Sequence, residues 1–331
     1  MPEISVVLPV YNAQASIERA VRSMLEQTLW DIEIIVIDDG STDQTAAIVN
    51  SIQDSRIRYF KKPHRGVALT MNDGVAVARS PLIARMDADD FSHRSRLESQ
   101  RKYLETHDVD AVGCQVRIID TDGSTVESMS RYQTWINNET LCGEDILALR
   151  FVELPVVNPT ILARRQYFEL ECRDSSFPED YDLMLRAAAA GFRFGKVPQK
   201  LFDWIDSRGR LTRSDQRYSV DAFMNCRRHH LLDGPLQHVR RVKLWGVGQT
   251  GKPWMRWLQD HNIEIEQAIE VSPRKIGQTV HGVLVEHPVQ LGDHDGIPII
   301  VAVGASGARA LIKEHLSQRG YRTGVEAWFV A

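Results

Sequence analysis

Three acidic clusters each close an apolar run: Asp38-Asp39-Gly40-Ser41-Thr42-Asp43, Met86-Asp87-Ala88-Asp89-Asp90 and Pro178-Glu179-Asp180-Tyr181-Asp182. Carboxylates gathered where strands end point to one cleft able to hold a cation, a nucleotide and a proton acceptor. In Asp87-Ala88-Asp89 the two carboxylates fall on the same side of an extended segment, because side chains alternate with period two. Oxygen-only ligands suit a hard divalent cation, Mg²⁺ or Mn²⁺, that bridges to phosphate oxygens. A D-x-D triplet alone is a common chance match, and its place after an apolar run gives it weight. Asp38 and Asp39 could accept hydrogen bonds from a base N–H or a ribose hydroxyl, or one of them could cap the next helix. Asp39 is the better candidate for the ligand and Asp38 for shaping the turn. Glu179 and Asp180 open a helical pattern, where the macrodipole favours the anion that a general base must be. Capping alone would also place acids there.

The elements that must position these groups alternate as βαβ units do. Strands are expected at 4–10, 33–38, 56–61 and 82–86, with helices at 15–27, 44–52 and 67–78. Ser41-Thr42-Asp43 reads as the cap of the helix at 44–52. An open sheet of this kind places its ligands beyond the carboxyl ends of strands, where the first two clusters fall. From 110 to 200 the pattern is mixed: a strand at 111–119, a turn at Asp122-Gly123, and helices at 143–151 and 179–190, the latter ended by Gly191.

Pro9-Val10-Tyr11-Asn12, the two Asp clusters and Glu179-Asp180-Tyr181-Asp182-Leu183 occur in an order and at a spacing that resemble the family-2 glycosyltransferases. The resemblance covers residues 1 to about 215. It implies a GT-A fold, a nucleotide-diphosphate-sugar donor, UDP-linked, and transfer with inversion to a hydroxyl of a glycan or lipid-linked acceptor in polysaccharide or glycoconjugate synthesis. Carried onto this chain, it implies that Pro9, Val10, Tyr11 and Asn12 line the nucleotide pocket, with Asp38, Asp39 and Ser41 beside the base. The stretch from His64-Arg65-Gly66 to Asn72 would lie along the donor. Asp87 and Ala88 would touch ribose or sugar, Asp89 with Asp87 would hold the metal, and Asp180 would be the base, with Glu179 positioning acceptor or loop. Many members carry a His soon after the acidic helix. Residues 201–213 have none, which leaves Arg210 and Arg213 to meet the diphosphate, as guanidinium groups can do bidentately. Residues 120–160 and 200–215, with Trp135 and Trp204, are the expected acceptor side.

At 331 residues, with 43% hydrophobic and 25% charged residues, the chain has room for about two domains of ordinary globular composition. A net charge of -4 gives no reason to invoke nucleic acid. Eight arginines lie between Arg208 and Arg241 against three acids, either a solvated helix face or a basic rim for pyrophosphate or an anionic membrane surface. Four scattered cysteines suggest neither a disulfide framework nor a zinc site. With no basic leader and no long apolar run, a cytoplasmic protein is expected, with peripheral membrane contact and a homodimer left open.

Past an arginine-rich linker at 216–238 the alternation restarts, and 239–331 reads as a small α/β domain. Strands are expected at 242–245, 264–271 and 299–303, with helices at 252–261 and 308–319. Gly246-x-Gly248-x-x-Gly251 joins a strand to a helix, and Glu270 follows Gly251 by 19 residues. That is the dinucleotide fingerprint: close backbone approach, phosphate at the helix N-terminus, acid on the ribose. With Ser272-Pro273-Arg274-Lys275-Ile276-Gly277 and Gly282-Val283-Leu284-Val285, it resembles the small Rossmann-like nucleotide-binding domains attached to sugar-modifying enzymes. Gly304-Ala305-Ser306-Gly307 is a second glycine-rich turn. A nucleotide, NAD or a purely docking role all remain open here. The competing functions for the whole chain are a sugar nucleotidyltransferase, which would need a glycine-rich basic loop after the first strand, and a non-catalytic nucleotide-sugar sensor.

Overall fold

A computed structural model describes all residues except Arg208, Gly209 and Ser306. All three fall in segments singled out above, Arg208 and Gly209 in the 201–213 stretch and Ser306 in the 304–307 turn, and lie outside the described residues. The chain divides into two compact units, Met1–Ile146 with Pro155–Cys226, and Leu147–Leu154 with Arg227–Ala331.

The first unit is built on an eight-stranded mixed sheet. Its strands are β1 (Ile4–Val10), β2 (Ile32–Asp38), β3 (Ile57–Lys61), β4 (Leu82–Arg85), β5 (Phe91–Ser92), β6 (Ala111–Ile119), β7 (Leu162–Arg164) and β8 (Phe194–Ile205), in the order β3-β2-β1-β4-β7-β6-β8-β5. The first four are parallel. β7 runs antiparallel to both of its neighbours. β1 and β2 are buried along their whole length, as continuous apolar runs in a covered parallel sheet must be. The polar exceptions pair internally, Ser5 Oγ donating to Glu33 at 2.6 Å and Arg58 donating to the other Glu33 oxygen. Helix Val67–Val77 reaches β1 through Gly74, where a Cβ would stand 2.2 Å from Val7 Cγ1. Because β2 and β4 flank β1 on opposite sides, the strand order reverses there. The resulting crevice is ringed by the ends of β1, β2 and β4.

The helix expected at 143–151 stops at Ala148, because the chain leaves the first unit at Leu147. Residues 147–154 pack in the second unit, where Phe151 meets Trp328 edge to face at 5.9 Å.

The second unit holds β9 (Arg241–Trp245), β10 (Glu264–Ile269), β11 (Thr279–Val280), β12 (Val283–Glu286), β13 (Ile299–Val301) and β14 (Ala327–Phe329), ordered β11-β12-β10-β9-β13-β14. All pairs but β11–β12 are parallel. No helix among the described residues is long and apolar enough to cross a membrane.

Candidate active site

The side of the crevice at the ends of β1 and β2 is shaped by loops that bond one another. Asn12 takes φ 48°, a left-handed conformation that Asn tolerates better than most residues. Its N–H donates to Ser41 Oγ and its side-chain oxygen accepts from Thr42 N, both at 2.9 Å. Ser41 and Asn12 thus lock the end of β1 to the end of β2. Asp38 is fully buried, accepting from Ser41 N at 2.7 Å and from the hydroxyl of Tyr59. Asp39 accepts from the backbone N–H of Arg65 and of Gly66, each at 2.8 Å, and contacts His64 Nδ1 at 2.8 Å. Its carboxylate therefore draws the 64–66 segment over the crevice. His64 then stacks on Tyr11, ring centroids 4.2 Å apart, as an aromatic platform following directly on Pro9 and Val10. Tyr11 stays 47% exposed, so the outer side of this platform can take a base. Arg65 turns to Asp73. Asn72 is committed elsewhere: both ends of its amide bond the backbone of Cys172 at 2.9 Å, bracing the segment that leads to the third acidic cluster.

The second cluster follows β4. Asp87 is held by Arg85, whose Nε donates to its Oδ1 at 2.9 Å. Ala88 is buried between the two carboxylates of the triplet. Burial, with the Asp87 carboxylate adding to it, raises Asp89 above the ordinary carboxylate range, and Arg210 opposes the rise. Asp90 is pushed well above that range, by burial first and then by Asp89. One Asp90 oxygen accepts from Ile205 N at 2.8 Å, and the other is buried with no partner. Crowded, desolvated carboxylates with an orphaned oxygen fit a divalent cation, which would supply the missing positive charge. Among the described residues no three His, Cys, Asp or Glu side chains converge as a metal-holding group. A cation here would draw its remaining ligands from water and substrate phosphate, as Mg²⁺ commonly does.

The third cluster opens helix Glu179–Ala189, with Pro178 just ahead of it. Asp180 is driven up to about 7, chiefly by burial and by the adjacent Glu179 carboxylate, with Arg85 and the Tyr181 N–H pulling the other way. Glu179 is buried, one oxygen accepting from the Tyr218 hydroxyl at 2.5 Å and the other lying 4.0 Å from Arg85. Tyr167 places a fully buried, unpartnered hydroxyl in the electrostatic surroundings of Asp180.

Arg210 and Arg213 part company. Arg210 lies over the Trp204 ring, 4.3 Å from its centroid, and its charge reaches Asp89 and Asp90. Arg213 pairs with Asp206 at 2.5 Å. Trp135 is buried, as core packing requires.

Sequence reasoning overlooked Arg85, Tyr218 and Arg217. An arginine within an apolar strand directly before D-x-D was a visible signal for the first. Tyr218 and Arg217 had none, because nothing local places residues 215–218 beside Glu179 and Gly66. Arg217 Nη2 lies 4.0 Å from where a Cβ on Gly66 would be.

In the second unit the glycine-rich turn does follow β9 and open helix Gly251–Asp260. Gly246 has φ 101° and Gly251 would carry a Cβ 1.7 Å from Gly246 O, so the turn itself demands both. Gly248 is different: a Cβ there would meet only Lys275 Nζ, at 3.3 Å. Glu270 is taken up by Lys275 at 3.0 Å and by the N–H groups of Val271 and Ser272.

The model of Glycosyl transferase family 2 matches residues 5–170, half of the chain. An uncharacterized glycosyltransferase of Haemophilus influenzae is 37% identical over 134 residues, 37% of this chain and 54% of that protein. The chondroitin synthase of Pasteurella multocida is 32% identical over 129 residues, 38% of this chain and 13% of the synthase. The chain thus spans about half the length of the first of these relatives and far less of the second. Among solved structures, TarS 1–349 of S. aureus in complex with UDP-GlcNAc superposes with a TM-score of 0.55 at 18% identity, over 71% of this chain and 67% of that one. The mannosyltransferase PcManGT of Pyrobaculum calidifontis, in complex with GDP-Man and Mn2+, gives 0.51 at 20% identity, over 63% and 58%. The solved structures show the fold, and the family match over half of the residues shows the lineage: the chain belongs to glycosyl transferase family 2.

Proposed function

We propose that the first unit transfers a sugar from a nucleoside-diphosphate-sugar, UDP-linked, to a hydroxyl of a glycan or lipid-linked acceptor, with inversion at the anomeric carbon. The observation that carries this reading is Asp180, a carboxylate raised to about 7 at the start of a helix, across a buried arginine from the Asp87 carboxylate. A base poised near the working pH both accepts and releases a proton readily. Inversion needs one displacement, so Asp180 taking the acceptor proton suffices and no covalent nucleophile is required. Tyr11 and His64 stack the base, while Asp39 holds the loop that carries His64. Asp89 and Asp87 would hold a divalent cation, which when bound supplies positive charge to the departing diphosphate. Arg210 adds a fixed cation from the protein itself. The nucleotide-sugar complexes of TarS and PcManGT, and the Mn2+ of the latter, support this donor class.

Turnover and donor affinity of Asp180→Asn test the reading. Transfer falls by about a hundredfold or more, the order general-base removal produces, while donor affinity is kept. Preserved turnover overturns the assignment.

A second site is proposed at Gly246, Gly248, Gly251 and Glu270, for a nucleotide phosphate. Gly248 supports it, since nothing in the turn requires a glycine there and its nearest neighbour is a cation. Glu270 is already engaged by Lys275, which favours phosphate over ribose recognition at this mouth.

A further inference from the structure

Arg85 ends β4 with its side chain only 5% exposed. Its backbone N–H donates to Ile161 O at 2.9 Å, so its base is fixed in the sheet. The guanidinium reaches in two directions: Nε to Asp87 Oδ1 at 2.9 Å, and Nη2 to within 4.0 Å of Glu179 Oε1. A charge this deep is costly unless paired, and a core position needs no charge at all. Both of its partners are carboxylates from acidic clusters that lie some 90 residues apart in the chain. Glu179 is in turn pinned by Tyr218 through its other oxygen.

We propose that Arg85 is a positioning residue for transfer, a single buried guanidinium that holds Asp87 on the donor side and the first turn of helix Glu179–Ala189 on the acceptor side in one fixed relation. Asp180 sits in that first turn, so its distance to the anomeric carbon depends on Arg85. The inference rests on Asp180 being the base. Arginine suits the task because its planar fork serves two partners at a set angle, whereas an ammonium is a point charge on a flexible stem. The charged and titratable groups around Asp180 are Glu179, Arg85 and Asp87, with Tyr167, Cys172 and Tyr218 beside them and Arg186 acting on Tyr167 and Cys172.

The test compares Arg85→Lys, Arg85→Gln and Asp180→Asn in the full chain, measuring thermal midpoint, kcat, donor KM and the pH dependence of kcat. Arg85→Lys keeps the cation but loses the fork. Its kcat falls about tenfold or more, beyond any rise in donor KM, because a base displaced by a fraction of an ångström loses alignment. The acid limb of its pH profile stays in place. In Arg85→Gln the limb moves up by about one pH unit, since a nearby cation no longer favours the carboxylate. If Arg85→Gln does not fold, Arg85→Lys carries the test alone. Folded Arg85→Lys with wild-type kcat overturns the proposal, as does a loss in both variants that tracks only the folded fraction and leaves the limb unmoved. If Asp180→Asn keeps turnover, the base assignment fails instead; if it is inactive while Arg85→Lys is fully active, only the positioning role falls.

Discussion

Tyr218 donates its hydroxyl to Oε2 of Glu179 at 2.5 Å, across 39 residues of chain. Glu179 is buried, so this bond satisfies an oxygen that water cannot reach. Removing the hydroxyl in Tyr218→Phe leaves a desolvated acceptor unpaired, at a cost of about 1–3 kcal/mol. The expected outcome is a lower thermal midpoint together with reduced kcat. An unchanged midpoint would show that the bond carries no weight.

The raised Asp180 makes two predictions with opposite signs. Activity rises as pH increases through about 7, because the base must be the carboxylate. Stability goes the other way. A carboxyl whose folded value lies above its unfolded 3.8 contributes stability that is full below that value and is lost as pH rises through about 7. Asp180→Asn does not titrate, so its thermal midpoint relative to wild type should climb between pH 5 and pH 8. A constant difference across that range would mean Asp180 is not raised.

Asp89 and Asp90 are neighbours with different expected responses. Chelation should abolish turnover, with Mn²⁺ or Mg²⁺ restoring it, and Asp89→Asn should raise the cation concentration needed by about tenfold or more. Asp90 is buried and held well above the ordinary range, so its surroundings favour the neutral form when no cation is present. Asp90→Asn reproduces that neutral shape and keeps the acceptor for Ile205 N. Its stability without metal should stay within about 1 kcal/mol of wild type, which denaturant titration can check.

The two glycines of the second unit separate fold from ligand. Gly251→Ala places a methyl 1.7 Å from Gly246 O and should destabilise that unit severely, visible as an early unfolding step. Gly248→Ala displaces only the end of Lys275 and should fold normally. If a nucleotide phosphate sits there, Gly248→Ala and Lys275→Glu each remove one of two nucleoside-diphosphate sites counted by calorimetry and leave transfer intact. A count of one in the wild type would dismiss the second site.

Much of the first half was legible from residue order. The bounds of β1 through β4 fall within about one residue of those expected, and β6 matches its expected bounds of 111–119. β7 was not, since three residues carry no period, nor was β8, whose Pro198, Gln199 and Lys200 are exposed and interrupt its apolar pattern. The turn glycines Gly246 and Gly251 were legible because their requirement is local: a backbone angle or a close approach within six residues.

Asp39, Asn72 and Glu179 show where such reading stops. Residue type marked each as polar and functional, yet what their atoms touch came from elsewhere: the Arg65 and Gly66 amides, the Cys172 backbone, the Tyr218 hydroxyl. The sequence by itself determined the family, the parallel strands and the carboxylates at their ends, because alternation, burial and turn chemistry act over a few residues. Only the tertiary structure decided that Arg85 lies between Asp87 and Glu179, and that Asp180 is raised to about 7. Desolvation and charge–charge interaction depend on distance through space, and chain separation says little about that distance.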